Sequence, residues 1–215
     1  MNMLMVPFHG LLTQVKVQPK PPTHTTPEMH ITGTWIVLTR IFNTQGIEQL
    51  LESSPDNESL AYYDPNVESV RAALKDLRDY IISNGPFDAV LGFSQGASLA
   101  ASFIAQQSLD LTRDARCDFK CAIFICGIKG VHTAGSGRIL GVEEDGEIIQ
   151  IPTVHIFGSG DSLVQESLDL SLICDHRTRV LFDHKGGHEV PRGAALVSEM
   201  AACISKALEK AILMQ

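Results

Sequence analysis

Hydrophobic residues recur along this chain at two spacings, one typical of helices and one typical of buried strands. After Asn66, apolar residues follow at intervals of three and four, at Val67, Val70, Leu74, Leu77 and Ile81. This pattern predicts an amphipathic helix with Asn66 as its N-cap. Short apolar runs at residues 3–8, 89–93, 122–126, 151–157 and 179–182 predict strands, and further helices are predicted over residues 41–51, 95–107, 164–174 and 193–213. Because strands and helices alternate, we predict an α/β fold in one domain spanning residues 1–215, with a mostly parallel sheet and helices on both faces.

The N-terminal third departs from this regular alternation. Residues 13–40 are rich in proline and threonine, which disfavours a helix or a central strand. We expect an exposed loop or insertion here, although residues 31–41 are apolar enough for an edge strand. Residues 129–146, rich in glycine and charge, favour an ordinary surface loop over a lid.

Composition narrows the function classes. The net charge of −8 disfavours nucleic acid or an anionic membrane as a partner, because both would attract a basic surface. No apolar run is long enough to span a membrane, and the first ten residues lack the basic start of a signal peptide. The five cysteines do not have the spacing of a zinc site, so we expect reduced, mostly buried thiols and a cytoplasmic location.

A serine between two glycines follows the apolar run at residues 89–93. The order is Gly92, Ser94, Gly96, and an Ala-rich helical stretch comes next. This strand–turn–helix context is typical of the nucleophile elbow of a serine hydrolase, in which the serine occupies a sharp turn and the glycines avoid clashes. The alternative is a plain Gly/Ser turn between a strand and a helix.

A serine hydroxyl needs an imidazole to take its proton and a carboxylate to orient that imidazole. In α/β hydrolases the order along the chain is serine, acid, histidine. Asp161 follows the strand at residues 151–157 and is the preferred acid, with Asp175 and Asp183 as rivals. Asp161 could instead cap the next segment as an Asx turn.

His188 is the preferred base. It follows the last predicted strand behind Gly186 and Gly187, and His184 is its rival. Backbone N–H groups of Gln95, beside the serine, and of Leu11, after His9-Gly10, are the candidate oxyanion donors. No metal or organic cofactor is implied.

Four segments together resemble a known family, the fungal family of serine hydrolases that includes the human ovarian-tumour-suppressor candidate hydrolase. They are G-F-S-Q-G-A at residues 92–97, I-P-T-V-H-I-F-G at 151–158 with Asp161, G-G-H-E-V-P at 186–191, and A-Y-Y-D-P at 61–65. The resemblance covers about residues 60–210. The G-F-S-Q-G core is also similar to acyl-protein thioesterases, but residues 186–191 favour the first family.

The resemblance implies an α/β-hydrolase fold and an esterase or thioesterase with Ser94, Asp161 and His188 as its triad. Its substrate would be a small-molecule acyl ester or thioester. Many fungal members belong to secondary-metabolite pathways, where some release a polyketide from the carrier domain of its synthase by cleaving a thioester. The irregular N-terminal third motivates an alternative, a catalytically impaired hydrolase-fold protein that binds a small ligand or a partner.

Overall fold

A computed structural model describes residues 2–6, 13–18, 33–38, 66–109, 119–128, 130–133 and 136–214. Its seven described strands form one sheet, and their order in the sheet is their order in the chain. They are β1 (Asn2–Val6), β2 (Thr13–Gln18), β3 (Gly33–Leu38), β4 (Ala89–Phe93), β5 (Cys121–Ile125), β6 (Thr153–Phe157) and β7 (Val180–Asp183). The strands from β3 to β7 run parallel, whereas β1 and β2 are antiparallel to their neighbours. The predicted mostly parallel sheet is therefore confirmed.

Four of the five described helices occur where the sequence predicts them, and a short fifth lies within residues 129–146, where we expected a loop. They are α1 (Val67–Asn84), α2 (Gln95–Leu109), the short α3 (Val142–Asp145), α4 (Val164–Leu172) and α5 (Ala194–Leu213). Asn66 caps α1, because its side chain accepts a hydrogen bond from the Ser69 N–H at 2.8 Å. The predicted apolar stripe of α1 is buried at Val70, Leu74, Leu77 and Ile81.

Helices cover both faces of the sheet, as predicted. Alternate residues of a strand point to opposite faces. Ala122 and Phe124 of β5 therefore pack with α1, α2 and Leu170 of α4. Cys121, Ile123 and Ile125 pack instead with α5, through residues that include Ala207 and Ala211. β5 and β6 are buried at every position, which explains why β5 is a continuous apolar run.

The structure corrects the loop expected over residues 13–40. Two strands lie within this segment, and β3 is interior, because it pairs with β2 on one side and with β4 on the other. Thr13–Gln18 alternates polar residues with valine, a strand pattern that the proline-rich residues after it obscured. Residues 19–32 and the helix expected at 41–51 lie outside the described residues, and the single-domain prediction stays a prediction.

Two expectations from composition bear on the described residues. None of the helices in this part of the chain is long and apolar enough to cross a membrane. Cys121, Cys126, Cys174 and Cys203 carry free thiols, the first three of them buried. Cys117 lies outside the described residues.

Candidate active site

Ser94 lies on a tight turn between β4 and α2, which we call the Ser94 turn. Its φ of 54° is in the left-handed region, a strained conformation that is typical of a nucleophile elbow. The Ser94 N–H donates to the carbonyl of Ile125 at 2.9 Å and ties the turn to the end of β5. A Cβ on Gly92 would lie 2.5 Å from the backbone of Ala97, so a side chain there would block the close start of α2.

The side chains of Ser94, His188 and Asp161 form a continuous chain of hydrogen bonds. The His188 Nδ1–H donates to Asp161 Oδ2 at 2.7 Å, and the Ser94 hydroxyl donates to His188 Nε2 at 2.9 Å. The carboxylate can only accept, so it fixes the proton on Nδ1 and leaves Nε2 able to take a proton from serine. The Asp161 side chain is fully buried and that of His188 is one-tenth exposed. This arrangement suits a serine that is deprotonated as it attacks.

Two loops present the acid and the imidazole, and they are bound to each other. The Asp161 turn spans residues 158–161, after β6, and the His188 loop spans residues 184–189, after β7. The Gly160 N–H donates to the carbonyl of Gly186 at 3.0 Å. Within the Asp161 turn, Asp161 Oδ1 accepts the Leu163 N–H at 2.8 Å, which orients the carboxylate toward His188.

A close contact between glycines also joins these loops. A Cβ on Gly158 would lie 2.6 Å from the carbonyl carbon of Gly186 and closer still to its oxygen, so a side chain at position 158 would push the loops apart. This role of Gly158 was not predicted from the sequence. The available signal was a glycine at the end of strand β6 combined with the glycine pair before His188.

The rival carboxylates have other partners. Asp175 binds the Arg177 guanidinium through both of its oxygens, and this contact lowers the pKa of Asp175. The Lys185 ammonium, 2.6 Å from Asp183, lowers the pKa of that carboxyl, which also accepts the Ser159 N–H at 2.9 Å. Asp161 is therefore the acid that lies against His188.

The rival histidine, His184, is buried and does not belong to the chain of hydrogen bonds from Asp161 to Ser94. His184 is 5% exposed, and its Nε2 lies 3.9 Å from the sulfur of Cys126. His188, four residues later, is the histidine in contact with Ser94.

One candidate oxyanion donor falls within the described residues. Gln95 directly follows Ser94 and begins α2. The N-terminus of a helix carries positive partial charge, which favours a developing negative charge nearby. Leu11, the other candidate, lies outside the described residues, so its role stays a prediction.

Two groups of side chains in the described part of the chain could offer three ligand atoms to a metal ion. One is Cys126, Asp161 and His188, and the other is Glu147, Asp175 and His176. In the first group, both His188 nitrogens already bind Asp161 and Ser94. In the second, the Arg177 guanidinium occupies the carboxylate of Asp175. Neither group offers a set of uncommitted ligands.

The chain matches known proteins over most of its length. Residues 40–200 match the family described as Serine hydrolase (FSH1). The chain belongs to this family. Among its relatives, esterase FPY3 of Fusarium mangiferae is 42% identical over 166 residues, which span 74% of each protein. Esterase OVCA2 of Danio rerio is 34% identical over 140 residues, which cover 65% of this chain and only 56% of that relative.

A solved structure supports the fold. The α/β hydrolase domain-containing protein 10 from mouse matches 98% of this chain with a TM-score of 0.50 at 12% identity, and the match covers 99% of the mouse chain. The family and the fold agree with the α/β-hydrolase architecture that the sequence resemblance implies.

Proposed function

We propose that this member of the family is a serine esterase or thioesterase in which Ser94 is the nucleophile, His188 the general base and Asp161 the orienting acid. The observation that carries the proposal is the unbroken series of hydrogen bonds from Asp161 through His188 to Ser94. Left-handed Ser94 and the helix that starts at Gln95 support it, because they suit an exposed nucleophile beside backbone donors.

The proposed reaction proceeds in two halves. Ser94 Oγ attacks the acyl carbon while its proton passes to His188 Nε2, and the carbonyl oxygen takes up the negative charge. Backbone N–H groups of Gln95 and Leu11 would stabilise that oxyanion. When the intermediate collapses, the bond to the leaving alcohol or thiol breaks, and His188 returns the proton to this group. Water, deprotonated by His188, then attacks the acyl-enzyme. When this second intermediate collapses, the bond from the acyl carbon to Ser94 Oγ breaks, His188 returns the proton to Oγ, and the carboxylic acid leaves.

The proposal extends to the class of substrate. We infer a small-molecule acyl ester or thioester, in line with the names of the two esterase relatives. The resemblance to fungal pathway enzymes extends the proposal to a polyketide thioester on a synthase carrier domain, with product release as the step. The free thiols of the described residues are consistent with a cytoplasmic location.

Labelling by a fluorophosphonate probe tests the nucleophile. We expect the wild type and Ser108→Ala to react, and Ser94→Ala to lose all labelling. Ser108 is a matched control because it is exposed near the other end of α2. Labelling that persists in Ser94→Ala would refute the assignment of Ser94.

Two series of substrates then distinguish ester hydrolysis from thioester hydrolysis. Matched acyl chains offered as p-nitrophenyl esters and as N-acetylcysteamine thioesters distinguish esterase from thioesterase preference. A folded protein that neither labels nor hydrolyses either series would support the alternative function, an impaired hydrolase-fold protein that binds a ligand or partner.

A further inference from the structure

Two buried side chains with no part in the proposed reaction lie where the Ser94 turn, the Asp161 turn and the His188 loop meet. Cys126 directly follows β5, next to Ile125, whose carbonyl accepts the Ser94 N–H. His184 is the first residue of the His188 loop. The Cys126 sulfur lies 3.9 Å from His184 Nε2, and the two residues are 0% and 5% exposed. A direct contact thus joins the end of β5 to the loop that carries His188.

The hydrogen bonds around this pair all run in one direction. The Gly186 N–H donates to His184 Nδ1 at 3.2 Å, so Nδ1 is the unprotonated nitrogen of a neutral ring. The proton must then lie on Nε2, which faces the Cys126 sulfur. The Cys126 thiol in turn donates to the carbonyl of Glu189 at 3.5 Å. The series begins two residues before His188 and ends one residue after it.

Both side chains stay neutral near neutral pH, which preserves this direction. Burial lowers the pKa of His184, against the smaller opposing effects of the Glu189, Asp183 and Asp161 carboxylates. Burial raises the pKa of the Cys126 thiol to about 12, and the charge of Asp161 adds to that shift. The thiol therefore keeps the proton that it donates.

The backbone is strained at Cys126 and at the residue after His184. Cys126 has a φ of 45° and Lys185, next to His184, has a φ of 67°. Left-handed residues of this kind are strained and persist where surrounding contacts over-determine them. The contacts from Cys126 and His184 supply such a constraint.

We propose that His184 and Cys126 are positioning residues that hold the His188 loop, and with it the His188 imidazole, in register with Ser94. The proposal rests on the proposed function, since positioning has a kinetic consequence only if His188 acts as the base. The two residues act through the loop backbone, because their side chains contact each other and backbone groups of Gly186, Gly187 and Glu189.

A first test needs no catalysis. Long-range ¹H–¹⁵N NMR of the wild type reports which nitrogen of His184 carries the proton. We expect protonated Nε2 and unprotonated Nδ1, together with slow exchange of the Gly186 amide that accelerates in Cys126→Ala. A His184 ring protonated on Nδ1 would overturn the proposal, whether or not the protein is an active hydrolase.

Kinetics on a cleavable ester supply the second test. We expect His184→Ala and Cys126→Ala each to lower kcat by about 10-fold or more with KM within about twofold, because the imidazole is displaced while the acyl pocket is not. Cys126→Ser, which keeps a donor and an acceptor, should restore much of the lost kcat. Cys174→Ala is the matched control, since Cys174 is equally buried and its thiol contacts the Leu170 carbonyl instead.

The double variant separates a shared role from two independent ones. Because one series of hydrogen bonds contains both residues, His184→Ala/Cys126→Ala should lose no more activity than the worse single variant. The proposal would be overturned if the activity losses of the two single variants multiplied in the double variant. It would also be overturned if Cys126→Ala were as active as Cys174→Ala. A wild type with the expected His184 tautomer and a protected Gly186 amide but no hydrolysis would refute only the proposed function. It would leave the contacts of His184 and Cys126 with the His188 loop supported.

Discussion

The contact between Gly158 and the His188 loop makes Gly158→Ala a demanding test of the geometry. The added methyl group would lie 2.6 Å from the Gly186 carbonyl carbon and 2.8 Å from His184 Cε1. Ordinary contact for a Cβ begins at 3.4 Å. The Asp161 turn and the His188 loop must therefore separate by about 1 Å, which is the scale of misplacement that reduces catalysis about 100-fold.

This displacement acts on the site more than on the fold. A 100-fold fall in kcat/KM corresponds to about 2.7 kcal/mol of lost transition-state stabilisation. Overpacking of this kind costs about 1–3 kcal/mol of stability, less than the roughly 5–15 kcal/mol that a domain of this kind holds. Gly158→Ala should therefore remain folded at 25 °C while its hydrolysis is severely impaired.

The assay compares kcat/KM for a p-nitrophenyl ester with the midpoint of urea unfolding, for Gly158→Ala and Gly187→Ala. Gly187 is the matched control, because it lies beside His188 and its added Cβ would meet nothing within 4 Å. We expect Gly187→Ala to stay within a few-fold of the wild type. Wild-type kcat/KM in Gly158→Ala would refute the inference that this contact sets the alignment of Asp161 and His188.

Three further predictions concern individual residues. Asp161→Asn should lower kcat by about 10⁴-fold, because an amide no longer fixes the proton on His188 Nδ1. His155 is buried with a pKa of about 3. Unfolded histidine takes up a proton below about pH 6.5, so this residue should reduce the free energy of unfolding by about 2 kcal/mol between pH 7 and pH 5. Leu77→Ala should cost about 2–5 kcal/mol, because Leu77 is 1% exposed, with 71%-exposed Ile82→Ala as its near-neutral control.

Each of these has a measurement that can contradict it. Single-turnover acylation kinetics test Asp161→Asn, and a loss below 10-fold would contradict the assigned role of the acid. Urea unfolding at both pH values tests His155, and His155→Gln should show a smaller pH dependence than the wild type. Equal pH dependence would count against a neutral buried ring. Urea unfolding also tests α1, and equal effects of Leu77→Ala and Ile82→Ala would contradict its assigned buried face.

The positions of the triad candidates could be predicted because they depend on local patterns. The apolar runs at 89–93 and 151–157 mark β4 and β6, and each is followed by a residue whose chemistry stands out, Ser94 or Asp161. The choice between His184 and His188 was harder. Both follow β7 within five residues, and which one faces Ser94 depends on the path of the loop, including left-handed Lys185.

Strand pairing in the N-terminal third could not be predicted from local sequence patterns. The residues of β3 were apolar enough to predict a strand, but its place between β2 and β4 depends on partners far away in the sequence. The tie between Cys126 and His184 joins residues 58 positions apart and could not be seen from either segment alone.

The sequential order of the sheet has a consequence for the timing of activity during synthesis. Ser94 precedes His188 by 94 residues. At about 5–20 residues per second, the ribosome needs roughly 5–20 s to travel between them. During that interval the nascent chain carries the serine without its imidazole. The elbow can fold early on β4, yet the hydroxyl contacts the His188 imidazole only after β7 has emerged and joined the growing edge of the sheet.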